Sequence, residues 1–265
     1  DSYNKNSNNY VSWNWKGAGA GSSNSDGSIT ASVSANQTAG ISIGTYTGTG
    51  SNASVGHGLN AIPEMIIVKG VTHTSQWYVY TKSTSASTAT PPFTAAGKVC
   101  LLDTNAAATN DTTSWQNTHP TSSEFYIGND GGTNSSGNTM MFIAFAPKKG
   151  FSSFQHYRGN ANSNGTYINL NFKPQFCIFK QVDSTGNWII KSRNLSATNP
   201  NNAYMFANGT DAESSASTIG VDFLSTGVKI RGTAGDINGN TNNFIMMAFA
   251  DQPLVNSNGV PSTAD

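Results

Sequence analysis

Charge is the scarcest property of this chain. Only 11% of its 265 residues are Asp, Glu, Lys or Arg, against about 25% in an ordinary soluble domain. The 14 basic and 14 acidic residues cancel. No basic excess is available to release counterions from phosphates, so nucleic acid is not an expected partner. Glutamate is limited to Glu64, Glu124 and Glu213. A polysaccharide hydrolase needs two facing carboxylates about 5–10 Å apart, and Asp103, Asp183 and Asp222 cannot be paired from the sequence. Cysteine is limited to Cys100 and Cys177. That excludes a disulfide framework and leaves Cys177, inside the apolar stretch 176–179, as a thiol packed like a small hydrophobe. No apolar run approaches 18 residues, so membrane insertion is not expected. There is no Gly-x-Ser-x-Gly elbow and no phosphate-binding loop. His57, His73, His119 and His156 are scattered without metal-ligand spacing. The chain opens without an initiator Met in a polar segment, which reads as a portion of something longer.

What fills the sequence instead is Asn, Ser, Thr and Gly, a neutral hydrogen-bonding surface suited to an extracellular or virion setting. The chain also repeats itself. Pro63, Lys69 and Trp77 recur as Pro174, Lys180 and Trp188, each 111 positions on (174 − 63, 180 − 69, 188 − 77). Tyr46 and Gly48 recur as Tyr157 and Gly159 at the same offset. The closing stretches 142–146 and 244–250 also match. A unit of this length closes a core of its own, unlike a solenoid repeat.

No 11-residue window has helical periodicity. Short alternating segments separated by Gly/Asn turns predict an all-β chain. The expected architecture is two tandem antiparallel β-sandwich (jelly-roll or lectin-like) domains, 41–149 and 150–251, from an internal duplication. Residues 1–40 precede them: 10–16 read as the closing strand of an upstream module. Residues 17–40 read as a Gly/Ala/Ser-rich arm with a short edge strand where Ile29, Ala31 and Val33 alternate with Thr30, Ser32 and Ser34. Residues 252–265 read as a polar tail. The stretch 83–98 reads as a long loop, and 106–113 has the only modest helical signal.

Trp77 and Trp188, kept in both copies with apolar neighbours, read as core aromatics rather than sugar-stacking platforms. Trp115, Tyr126 and Tyr204 are less matched between the copies and are the better candidates for exposed ligand-binding aromatics. Asp130, Asp236 and Asn238 lie in Asn/Asp/Gly turns that could hydrogen-bond a glycan. Asp236, Asn238 and Asn240 place oxygens at alternate positions, as a calcium loop begins. No later glutamate completes that pattern, so a weak surface Ca2+ is the most that is expected and no cofactor is assigned. His57, in Gly56-His57-Gly58, reads as a turn histidine bonded to backbone.

The residues 46–50, then His57-Gly58-Leu59, then 63–69, then Trp77, together with 10–16 and 26–30, resemble a duplicated module of structural proteins in marine tailed phages. The resemblance spans nearly the whole chain. It implies a tail-fibre, tail-associated or capsid-surface protein located on the virion, associating with itself and other virion proteins. It supplies no catalytic residue, and no enzymatic activity is expected. The alternative reading is a carbohydrate- or receptor-binding adhesin that contacts a host surface glycan. A bacterial surface adhesin and a polysaccharide-degrading enzyme are further alternatives.

Overall fold

The computed structural model describes residues 6–7, 9–82 and 97–250, with the backbone also of 254–255 and 261–262. The long loop expected at 83–98 lies outside the described residues except at its end. So does the tail 252–265, apart from Leu254–Val255 pairing antiparallel with Pro261–Ser262.

The chain is all-β, with 41% of it in strands and 7% in helices. The first strands are β1 (Ser22–Asn24), β2 (Ala31–Asn36), β3 (Ile41–Thr47), β4 (Ala53–Gly56), β5 (Met65–Gly70), β6 (Tyr78–Thr81), β7 (Lys98–Leu101) and β8 (Thr109–Asn110). Next come α1 (Thr112–Trp115), β9 (Glu124–Ile127), α2 (Gly131–Asn134) and β10 (Thr139–Phe145). The chain continues with β11 (Ser152–Arg158), β12 (Tyr167–Asn169), β13 (Pro174–Gln181), β14 (Trp188–Ser192), β15 (Ala203–Phe206) and β16 (Ser214–Ser215). After a 3₁₀ turn (Ser217–Ile219) come β17 (Val221–Leu224), β18 (Gly227–Ile230), α3 (Gly235–Asn238) and β19 (Asn243–Ala250).

These strands form an eight-stranded sheet, β1-β2-β3-β10-β5-β6-β7-β8, and a six-stranded sheet, β11-β19-β13-β14-β15-β16. Two small sheets, β4-β9 and β12-β18-β17, accompany them. The sheet pairings are antiparallel.

The two-residue period of a strand sends alternate side chains to opposite faces, and on β19 it serves two cores. Phe244, Met246 and Ala248 join one cluster with Tyr157, Phe179, Ile168, Val228 and Phe223. Ile245, Met247 and Phe249 join the other. That second cluster reaches across both large sheets, since Phe145 of β10 lies 6.2 Å from Phe154 and 5.8 Å from Phe249 by ring centroid. On the far face of β10, Phe142 meets Phe125 of β9 at 5.1 Å. The layers therefore run small sheet, large sheet, large sheet, small sheet, with a shared aromatic core between the two large ones.

The N-terminal residues take part in this packing. Residues 10–16, expected as a closing strand, pair with no strand. Trp15 lies 6.2, 5.7 and 5.3 Å from Phe145, Phe176 and Phe249, and Trp13 lies 5.0 Å from Phe176. The strand anticipated near 29–34 is β2, and it is not an edge, because β1 pairs on one side and β3 on the other. The helical signal at 106–113 is displaced. Asp111 accepts hydrogen bonds from the backbone N–H of Thr113 and Ser114 and so starts α1 rather than sitting inside a helix. No alternation or turn signal announces β17, which forms a tight hairpin with β18.

Candidate functional site

The repeated residues explain themselves as two buried hydrogen-bond locks. In the first, Tyr46 Oη donates to the carbonyl of Thr133 at 2.5 Å. Next to it, Asn134 Nδ2 donates to the carbonyls of Ser51 (2.6 Å) and Gly128 (2.7 Å), and Oδ1 accepts from the N–H of Thr49 (2.7 Å). In the second, Tyr157 Oη donates to the carbonyl of Ile237 at 2.8 Å. Asn238 Nδ2 donates to the carbonyls of Asn162 (2.9 Å) and Gly232 (2.8 Å), and Oδ1 accepts from the N–H of Asn160 (2.9 Å). Both asparagines are fully buried, and all of the amide's strong hydrogen-bonding groups find partners, as burial requires. Burial raises the pKa of both tyrosines, so they remain neutral donors. Gly48 and Gly159 belong to the same locks: a Cβ on either would lie 2.2 Å from the carbonyl oxygen of Ser135 or Gly239.

The repeated lysine has an equally local task. Lys69 Nζ donates to the carbonyl of Ser75 at 2.5 Å, and Lys180 Nζ donates to that of Gly186 at 2.7 Å. Each ties down the turn of its own hairpin. Lys180 is fully buried and also reaches the carbonyl of Asn105 at 3.2 Å; burial lowers its pKa. Trp188 is buried and donates from Nε1 to the carbonyl of Leu101 at 2.8 Å, which makes it a core aromatic between the halves. Trp77 is half-buried and lines a shallow groove of about 270 Å³ with Leu102, Asp103 and Ala207.

The six residues expected to bind a ligand are not brought together. Trp115 is 1% exposed and packs edge-on to Tyr80 at 5.9 Å, because the Asp111 cap turns α1 inward; the expectation of an exposed ring is corrected. Asn238 is likewise buried, so its oxygen serves the lock and does not converge with Asp236 and Asn240 on a cation. Asp236 accepts from Asn187 Nδ2 at 2.9 Å. Asp130 caps α2 through the N–H of Gly132 at 2.7 Å. Tyr126 is partly exposed and donates to Glu124 at 3.0 Å. Tyr204 is partly exposed, with Lys191 Nζ 5.6 Å from its ring, and it lines a hollow of about 380 Å³ with Asp211 and Glu213. Among the described residues, no group of three or more His, Cys, Asp or Glu side chains gathers to hold a metal.

Several titratable groups are buried and held by backbone. His57 is fully buried; its Nδ1 accepts from the N–H of Leu59 at 3.2 Å, and Nε2 lies 3.2 Å from the carbonyl of Thr121. Burial lowers its pKa. Lys191 is fully buried, donates to the carbonyls of Asn201 (3.1 Å) and Ala203 (2.9 Å), and is pushed down to about 7 by burial. The thiols of Cys100 and Cys177 are free and buried, and burial pushes that of Cys100 up to about 12. Neither thiol is a poised nucleophile.

A polar cleft of about 640 Å³ opens beside β17 and β18. Asp222 and Arg231 line it, and Asp222 Oδ2 accepts from Arg231 Nε at 2.5 Å. In the sequence Asp222 stands without a partner, because nothing there announces the hairpin that brings Arg231 to it.

No curated protein and no solved structure matches the chain. Among the described residues, no helix is long and apolar enough to cross a membrane. Residues 1–253 match the model of a family described as a domain of unknown function, DUF7483, and the chain belongs to that family.

Proposed function

We propose that this protein is a non-enzymatic structural component of a bacteriophage particle. It would be a tail-fibre, tail-associated or capsid-surface subunit displayed on the virion and associating with copies of itself. In this reading the chain is two tandem antiparallel β-sandwiches from one duplicated ancestor. An N-terminal extension, residues 1–40, precedes them, and its Trp13 and Trp15 brace their junction. The resemblance to phage structural modules supplies the setting.

The observation that supports the assembly role most strongly is an asymmetry between the halves. Strands β3-β10-β5-β6-β7 and β11-β19-β13-β14-β15 follow the same spatial order, and both halves have the same tyrosine–asparagine lock. Yet β3 has β2 on its outer edge, whereas among the described residues no strand pairs on the outer edge of β11. Only residues 146–151 lie between β10 and β11, too few to supply one. Lys148 bridges Ser152 and Thr166 Oγ1 donates to the carbonyl of Arg158, so the ends of that edge are covered. Between them the outward backbone groups of His156 have no partner among the described residues, which makes the middle of the edge a template for strand addition. Its sequence, Ser152–Arg158, has neither the lysine nor the proline that commonly blunts such edges. A strand from a neighbouring subunit would occupy there the place that β2 takes on β3.

The test is to purify particles of the virus that encodes the chain and to look for it by mass spectrometry, beside the purified protein's mass in solution. The chain is expected in the particles in many copies, and the free protein is expected to oligomerise. Absence from the particles, with a strict monomer in solution, would contradict the proposal.

A further inference from the structure

We infer that the cleft beside β17 and β18 is a binding site for a neutral saccharide. Its chemistry is that of a polyol site. The Asp222–Arg231 pair cancels its own charge, so the cleft offers direction rather than net field. Arg231 uses only Nε in that pair, leaving both Nη groups as donors, and Asp222 has Oδ1 left as an acceptor. The side chain of Asn202 makes no hydrogen bond to the described residues; its Oδ1 is buried against Gly220, which leaves Nδ2 for the cleft. The hydroxyls of Ser217 and Thr218 on the wall are likewise unpartnered among the described residues and can donate or accept. Pro200 adds an apolar ring face for the C–H surface of a sugar.

The sheet extends the site. Asp222, Lys229 and Tyr167 are directly paired across β17, β18 and β12, so their side chains share the outer face. Tyr167 is 43% exposed and stands two strand spacings, about 10 Å, from Asp222. Its ring is held by a hydrogen bond of 2.7 Å between Oη and Thr226. One sugar unit in the cleft and a further unit over Tyr167 would make an oligosaccharide the preferred ligand.

The probes are cellotriose, maltotriose and triacetylchitotriose, each titrated into the ¹⁵N-labelled full chain to about 10 mM, where weak single-site affinity becomes visible. The expected result is a saturable shift for at least one probe at the amides of Asn202, Ser217, Asp222, Arg231 and Tyr167. The exposed substitution Ser217→Trp fills the cleft and leaves the ion pair intact. It is expected to weaken binding at least about tenfold with an unchanged melting temperature. Arg231→Lys keeps a cation beside Asp222 but removes the free fork, and the same loss is expected. Absence of saturable shifts with all three probes, shifts that survive Ser217→Trp, or a response to inorganic phosphate alone would overturn the inference.

Discussion

Asn134 and Asn238 each hold three backbone groups, of which the Ser51 carbonyl also accepts from Thr49 Oγ1 at 3.0 Å. Replacing either by alanine strands buried donors and acceptors, which costs about 1–3 kcal/mol for each unsatisfied group. Asn134→Ala and Asn238→Ala are each expected to lower stability by roughly 2–5 kcal/mol, read by chemical denaturation. Lys191 offers a different test. Its folded pKa of about 7 lies below the ordinary 10.5. Between those values the unfolded chain binds a proton that the folded chain does not, so this group makes stability rise with pH. The contribution is complete near pH 10.5 and lost as pH falls to about 7. Between pH 7 and 8.5, below the range where the buried thiols and tyrosines act, Lys191→Met is expected to flatten the slope by up to about 1.4 kcal/mol per pH unit. An unchanged slope would show that Lys191 stays charged in its cage of carbonyls. The buried His57 acts on the acid side: its lowered pKa makes stability fall as pH drops below about 6.5.

At the scale of elements, the strands that read most clearly were those whose apolar residues serve two cores. Pro174–Gln181 is the clearest of them, since Phe176 and Ile178 face one core and Cys177 and Phe179 the other, and only a strand buries both faces. The repeat pointed to the locks through Tyr46, Gly48, Tyr157 and Gly159. It did not reveal their asparagines, because the second half is seven residues shorter between the two ends: Tyr46 to Tyr157 is 111 positions and Asn134 to Asn238 is 104. Trp115 was misread as exposed because its burial depends on a four-residue helix set by one capping aspartate. The cleft was illegible for the same kind of reason, since Asp222 meets Arg231 only through the register of a hairpin that has no Asn-Gly or Asp-Gly turn to announce it. The open edge of β11 makes its own prediction. His156→Pro removes a backbone donor that faces away from β19 and is expected to abolish self-association, measured by sedimentation. Its cost to the fold would need to remain small enough for the secondary structure to persist, which circular dichroism reads, and Gln155→Lys repels an incoming strand without that backbone change. Undiminished association in both variants would place the interface elsewhere.

At the scale of the molecule, the two large sheets share one aromatic core, and Trp15 touches rings from both. Halves joined in this way should unfold together rather than as beads on a string. Trp15→Ala removes the ring that meets Phe145, Phe176 and Phe249, at a cost of about 3 kcal/mol given its partial exposure. It is expected to split one calorimetric transition into two. A single transition at a lower temperature would mean that the remaining core couples the halves without it. A fused, neutral, four-layered block with β11 at the edge of one large sheet suits repeated stacking on a particle surface, and a polar cleft on its outer small sheet would then face the medium. The most direct measurement is cryo-electron microscopy of the intact particle. A symmetric array of this chain is expected, with a strand from a neighbouring subunit lying along Ser152–Arg158. Particles that lack the chain, or an array in which that edge faces solvent unpaired, would contradict it.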